Sequence, residues 1–421
     1  MVKYPILTAF GLELEYAIVD KVTLEIVPKA DLLLEVQGNK VSELDRGVLA
    51  WSNELVKHVI EIKNPRPVQD LQPIGLTYLE EVETINKRLD SIGCMLLPTG
   101  AHPWMNSETE RVLWEQEQTE IYFAYDRIFS TKGHGWANLQ SAHLNISFSN
   151  SKEFGQLQRI LRFVLPLIPG LSASTPYFDG QFSGSMDGRM VAYGENQKRI
   201  PSIAGQIIPE PVYSIAAYQK EILATMYKDI QPFDSEGLLQ DDWLNSRGAI
   251  PKFSRNSMEI RIIDLQAHPW FDLLIANLIL TLMKHLHKQI LVNSKLMGVL
   301  ENLDQTTLVS LYQQAIQRGS MSDVRMYHGL HSDFPELFPF TPTEWEGKTM
   351  GEFWSLMFDS WTQQTISNSD MAQKTQEFFF QYRSGGTWAE QTFARLGPNP
   401  TKDDLRSWYK SYALALPGVV P

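Results

Sequence analysis

Residues 11–19 read GLELEYAIV, and the alternation in that stretch decides the fold. In a strand, side chains point to opposite faces with a period of two. Leu12, Leu14, Tyr16 and Ile18 therefore share one face, while Glu13 and Glu15 point together to the other. Three more stretches behave alike: LVKHVIEI at 55–62, AHLNISF at 142–148 and MEIRI at 258–262. Leu144, Ile146 and Phe148 lie opposite His143, Asn145 and Ser147, and Met258, Ile260 and Ile262 lie opposite Glu259 and Arg261. The split is less clean at 55–62, where Glu61 shares its face with Leu55, Lys57 and Val59. If these strands join one sheet, its polar face carries several carboxylates, an imidazole and a guanidinium. That composition suggests a cation-filled active site.

Glu13 and Glu15 sit about 7 Å apart along one strand face, where two unit charges repel by about 2.4 kcal/mol at an effective dielectric near 20. Glu61 and Glu259 alongside would multiply that repulsion, so the set needs divalent cations or proton uptake. Oxygen ligands with one His suit Mg²⁺ or Mn²⁺, and the lack of Cys ligands argues against structural zinc. Such metals bridge nucleotide phosphates during phosphoryl transfer. Each strand alone has a plainer reading: two solvated glutamates, a surface histidine, or a Glu259–Arg261 cross-strand ion pair. Joint occurrence and order favour the site. Glu54 and Glu61 differ by an odd number, so Glu54 is expected in the turn before the strand.

The chain has 421 residues, 43% hydrophobic and 20% charged, long enough for two lobes or one elaborated domain. A net charge of −12 argues against nucleic acid as a partner. The single cysteine, Cys94, sits among apolar neighbours as a small buried hydrophobe, and its solitude fits a reducing cytoplasm. No signal peptide is apparent, and the apolar run 273–283 is too short to span a membrane. A cytoplasmic protein without membrane contact is expected. Helices are predicted over 70–91 with Gly93 as cap, 108–129, 154–167 and 271–291, with a strand at 95–98. Residues 173–209, rich in Gly, Ser and Pro, read as a functional loop. The remainder reads as mainly helical apart from a loop at 333–343, giving a core over 1–291 and a helical region over 292–421 packed on the same domain.

The order of GLELE (11–15), NELVKHVIEI (53–62), PTGAHPW (98–104), SAHLNISF (141–148), LSASTPYFDG (171–180) and SMEIRIID (257–264) resembles the glutamate–cysteine ligase type 2, or carboxylate–amine ligase, family, related in fold to glutamine synthetase. The likeness covers roughly residues 8–275. It implies an α+β fold: a curved antiparallel half-barrel sheet, helices on its convex side, and a polar funnel for ATP, metals and substrate. By resemblance, Glu13, Glu15, Glu61, His143 and Glu259 are metal ligands, and Arg261 contacts the transferring phosphoryl group or substrate, a role that suits its planar fork. Glu54 falls where relatives carry an acid, and it could accept the proton of the amine.

The implied reaction is ATP-dependent amide formation through an acyl phosphate, most simply from glutamate with cysteine or another amine. It uses Mg²⁺ or Mn²⁺ and small-molecule substrates, and relatives are often homo-oligomers. Arg189, Arg199 and Arg255 are candidate nucleotide contacts, set against solvated loop charges; Lys198 is weaker. His102 reads as a structural turn, and Trp104, Tyr177 and Phe178 as packing residues. Lys57 stands where bacterial relatives often carry Glu, and Thr175 where Ser is common, which puts cysteine as the acceptor in doubt. The alternatives are a guanidino-kinase-like phosphotransferase and a non-catalytic nucleotide- or metal-binding protein.

Overall fold

A computed structural model describes residues 3–117, 119–365 and 369–416; the end of the expected C-terminal helical region, 417–421, lies outside them. Eight strands form one antiparallel sheet: β1 (Phe10–Asp20), β2 (Glu43–Asp45), β3 (Ala50–Asn53), β4 (Val59–Lys63), β5 (Cys94–Leu97), β6 (Ser141–Ser147), β7 (Ala249–Lys252) and β8 (Ser257–Asp264). Their order is β7-β8-β6-β1-β4-β3-β2, with β5 also beside β1. Ala17 pairs with Val59 on one side and Leu97 on the other, and Leu14 pairs with Ile62 and Ala142. β5 and β6 therefore share one edge of β1, end to end. The sheet is open, with β7 and β2 as its edges; strand order establishes the antiparallel sheet and does not fix the curvature of a half-barrel.

The apolar face is the core. Leu12, Leu14, Tyr16 and Ile18 join Ile60, Ile62, Leu144, Ile146, Met258 and Ile260 beneath helices α1 (Gly75–Asp90), α2 (Ser151–Val164) and α3 (Pro269–Val292). Helix α3 is apolar on nearly all sides because it lies between the sheet and the C-terminal helices Met350–Thr365 and Ser369–Gly385. His268 caps its first turn and Pro269 opens it. Among the described residues no helix is long and apolar enough to cross a membrane.

The second face of β1 changes character along its length. Glu13 and Glu15 give way to Ala17 and Val19, which join Val59, Met95 and Leu97 beneath Trp104, Tyr177, Trp388, Leu405 and Tyr409. The polar stretch is thus confined to one part of the sheet.

Three expectations change. The strand expected at 55–62 begins only at Val59, because Leu55–Lys57 turns away to meet 112–114: Lys57 N donates to Val112 O and Trp114 N to Leu55 O. The same pairing splits the helix expected at 108–129 into Ser107–Glu110 and Thr119–Phe129. The segment 173–209 is not one loop; it holds a small hairpin (Tyr177–Phe178 with Gln181–Phe182) and a helix at Gly188–Glu195. Gly93 does follow α1, at φ +70°, a conformation suited to glycine.

His58 and His102 are fully buried, each with Nε2 against a backbone carbonyl, Ala137 at 2.9 Å and Leu24 at 2.7 Å. Burial pushes both imidazoles down from 6.5 to about 4. A depressed folded value means the unfolded chain binds the extra proton, so stability present above pH about 6.5 is lost as pH falls toward 4, by up to about 3 kcal/mol per histidine. His58→Gln is expected to take up about one proton fewer than the parent on acid unfolding, measured from the pH dependence of the urea midpoint; an unchanged slope would refute it.

Candidate active site

Sheet register lines the acids up in rungs. Opposite Glu15 on β1 stands Glu61, and beyond it Ser52; opposite Glu13 stand Lys63 on one side and His143 on the other; Gly11 faces Asn145, which faces Glu259. Directly opposed residues lie close enough for side chains to interact, and like charges there repel. The repulsion is met by neutral donors. Ser141 N and Oγ donate to Glu15 at 2.7 and 2.9 Å, Ser52 Oγ donates to Glu61 at 2.5 Å, and Asn145 Nδ2 donates to Glu13 at 3.0 Å. Ser174 and Thr175 do the same for Asp264, one layer farther along β8, where the Arg189 cation joins them.

His143 lies between two groups of ligands. Its Nδ1 is 3.3 Å from Glu13, and its Nε2 is 2.8 Å from Ser141 Oγ and 3.8 Å from Glu15. Glu13, His143 and Glu259 can each present a ligand atom within 4.8 Å of one another, and so can Glu15, Glu61 and His143. All five residues expected as metal ligands therefore gather in two adjoining triads, of the oxygen-rich, single-imidazole kind that suits Mg²⁺ or Mn²⁺. Ser141 gives its proton to Glu15, so it accepts from His143 Nε2–H.

The electrostatics are uneven. Burial would raise Glu13, but the His143 bond and the charges of Lys252 and Lys63 hold it well below the carboxylate range. Burial and the Glu15 and Glu61 charges push Glu54 well above it. Burial also raises Glu61, against the pull of Lys63. Burial alone would lower His143; Glu15 and the bond to Glu13 raise it above 6.5.

Glu54 sits in the connection after β3, as expected, and its neighbour Asn53 donates to Tyr122 Oη at 3.0 Å. Arg261 projects toward the acids, its Nε 3.7 Å from Glu259. Of the three arginines expected at the nucleotide, Arg255 alone lines the cavity of about 490 Å³ that opens beside Glu13, with Gly11, Lys63, Arg66 and Asn145. A Cβ on Gly11 would lie 3.2 Å from Asn145 Cβ, so the glycine keeps that wall low. Arg199 instead donates to Ile128 O at 2.7 Å and stacks on Phe233. Arg189 is buried against Asp264. Lys57 pairs with Asp31, at 3.6 Å.

Besides Arg261, two cations beside the acids are ones the sequence reading passed over. Lys63 lies 2.9 Å from Glu61 and 3.2 Å from Glu43, and Lys252 pairs with Glu259. Lys63 had a signal, since it follows Glu61 by two and so shares its face. Lys252 had none, because β7 carries no alternation that marks it as a strand.

The model of glutamate–cysteine ligase family 2 matches residues 9–305. An uncharacterised protein of Archaeoglobus fulgidus is 38% identical over 257 residues, 61% of this chain and 68% of its own. A Corynebacterium glutamicum protein provisionally named glutamate–cysteine ligase 2 is 26% identical over 188 residues, 44% of this chain and 46% of its own. The match thus spans about half the length of that relative. The solved glutamate–cysteine ligase of Francisella tularensis, in complex with AMP, aligns with a TM-score of 0.57 over 99% of this chain and 89% of that one, at 13% identity. At that identity the likeness is one of fold.

A cation held at either triad would compete with the His143 proton, so its affinity would rise with pH through the raised histidine range. Mn²⁺ is expected to raise the unfolding temperature, and by more at about pH 8.5 than at about pH 6. Glu13→Gln is expected to weaken binding at least about tenfold by titration calorimetry. An equal shift at both pH values would count against ligation through His143.

Proposed function

The chain belongs to glutamate–cysteine ligase family 2, and from that premise we propose that it is an ATP-dependent carboxylate–amine ligase. Its products would be amides, in the simplest case from the carboxylate of glutamate and the amine of cysteine or another amino acid. The observation that carries this reading is the pair of acid triads meeting at His143 beside a cavity rimmed by Lys63, Arg66 and Arg255. The AMP bound to the Francisella ligase supports a nucleotide in a fold of this kind.

Glu13, His143 and Glu259 would hold one divalent cation and Glu15, Glu61 and His143 the neighbouring position, with Mg²⁺ or Mn²⁺ neutralising phosphate charge as the phosphoryl group moves. The sheet's polar face would form the floor of a funnel, as the half-barrel reading implies. The nucleotide phosphates fit the cavity on the Glu13 side, where Arg255, Lys63 and Arg66 supply charge-assisted donors. Arg261 interacts with the charges of Glu259 and Glu15 and would stabilise the charge on the transferring group.

The steps balance simply. A carboxylate oxygen of the substrate attacks the γ-phosphorus and the bond to the β-phosphate oxygen breaks, giving an acyl phosphate and ADP. The amine nitrogen then attacks the acyl carbon, phosphate leaves, and the proton lost by nitrogen passes to a carboxylate. Glu54 is the residue we assign to that proton. It sits in the connection between β3 and β4, where burial and the Glu15 and Glu61 charges raise its affinity for a proton.

A screen of carboxylates against amines with Mg²⁺ and ATP is expected to show ADP release that needs both partners, with Glu13→Gln inactive. Release with a single phosphate acceptor and no amine would instead identify a phosphotransferase. Glu54→Gln is expected to slow amide formation about 100-fold with the KM for ATP unchanged; an unaltered rate would remove its role. Arg255→Ala is expected to raise the KM for ATP about tenfold, the scale of one charge-assisted hydrogen bond.

A further inference from the structure

β8 contains an irregularity at the residue that matters most. Glu259 pairs with Asn145 and Ile260 with Leu144, but Ile263 pairs with Ala142. Arg261 and Ile262 thus stand together opposite His143, the two-against-one pattern of a β-bulge, a device that re-aims a side chain. The bulge also reverses the alternation. Ile262 and Ile263 both lie in the core, and Asp264 arrives beside Ser141 on the acid side instead of facing inward with Ile260.

A bulge leaves backbone groups without ladder partners, and here a buried arginine supplies one. Arg189 is 1% exposed. Its Nε donates to Asp264, and both terminal nitrogens lie 3.3 Å from the carbonyl oxygen of Arg261. Asp264 is held in turn by Ser174 N at 2.8 Å and Thr175 Oγ1 at 2.9 Å, and Thr175 Oγ1 also accepts from Arg189 N at 2.9 Å. Arg261 N itself donates to Gly248 O at 2.9 Å. Gly100 closes the assembly: a Cβ there would come within 3.0 Å of the Asp264 carboxyl carbon.

We propose that Arg189 and Asp264 form a positioning clamp that fixes the bulge and so aims the Arg261 guanidinium at the phosphoryl group. This deepens the ligase reading and rests on it for the role of Arg261. It assigns Arg189 to the aim of another arginine, with no contact of its own to nucleotide. Lysine at 189 can keep the charge beside Asp264 but cannot present a planar fork to both the carboxylate and the Arg261 carbonyl.

The test is a double-mutant cycle between Arg189→Lys and Arg261→Ala, with Asp264→Asn as a second way to open the clamp. It is read in two assays: equilibrium affinity for the Mn²⁺ complex of a non-hydrolysable ATP analogue, and the carboxylate- and amine-dependent rate of ADP release. Mn²⁺ affinity alone reports that the acid triads are intact. Arg189→Lys and Asp264→Asn are each expected to weaken analogue binding at least about fivefold and lower kcat at least about tenfold, with Mn²⁺ affinity unchanged. In the Arg261→Ala background, Arg189→Lys is expected to add less than about twofold. Full, additive losses in that background, or wild-type behaviour in both clamp variants, would overturn the proposal. Absence of turnover with every carboxylate and amine, while the binding cycle still shows coupling, would defeat the ligase reading and leave the clamp standing.

Discussion

Mutual repulsion among carboxylates is the constraint around which the molecule is arranged. Glu13, Glu15, Glu61 and Glu259 share one face of four adjacent strands, with Glu15 directly opposite Glu61, and each is met by something fixed: Asn145 and His143 at Glu13, Ser141 at Glu15, Ser52 and Lys63 at Glu61, Lys252 at Glu259. Such a group stays together because the opposite face of the same strands, from Leu12 to Ile18 on β1 and at Ile60, Ile62, Leu144, Ile146, Met258 and Ile260 beside it, is buried under α1, α2 and α3. The core supplies the free energy, and the rungs of the sheet decide which charges meet.

The fold was legible where alternation was strict. GLELEYAIV has one assignment of faces, and β1 follows it from Glu13 to Ile18. The same holds for AHLNISF, and for MEIRI as far as Arg261. Legibility ends where tertiary pairing overrides local pattern. Residues 55–57 looked like the start of a strand, yet they pair with 112–114 and pull both segments out of their expected states. The bulge at Arg261–Ile262 leaves only a slight mark in the sequence, the Ile262–Ile263 doublet that breaks the alternation just before Asp264.

The site was legible in its acids and less so in its bases. A glutamate two residues from another on a strand announces itself, whereas a lysine at the end of a strand looks like any solvated charge. Lys63 and Lys252 occupy positions beside the acids, while Arg189 and Arg199, candidate nucleotide contacts weighed against solvated loop charges, are engaged by Asp264 and by Ile128 with Phe233. Charge at a site is thus read more safely from register than from the kind of segment that carries it.

The switch along β1 from Glu15 to Ala17 has one further consequence. The dry half of that face is roofed by Trp388, Leu405 and Tyr409, residues beyond the 9–305 span of the family match. The rungs of acids thus lie within the matched span, while the cover of the dry half comes from residues outside it. Cutting the chain before Trp388 would therefore strip the lid from Ala17, Val59 and Leu97 and wet the strand that carries Glu13 and Glu15.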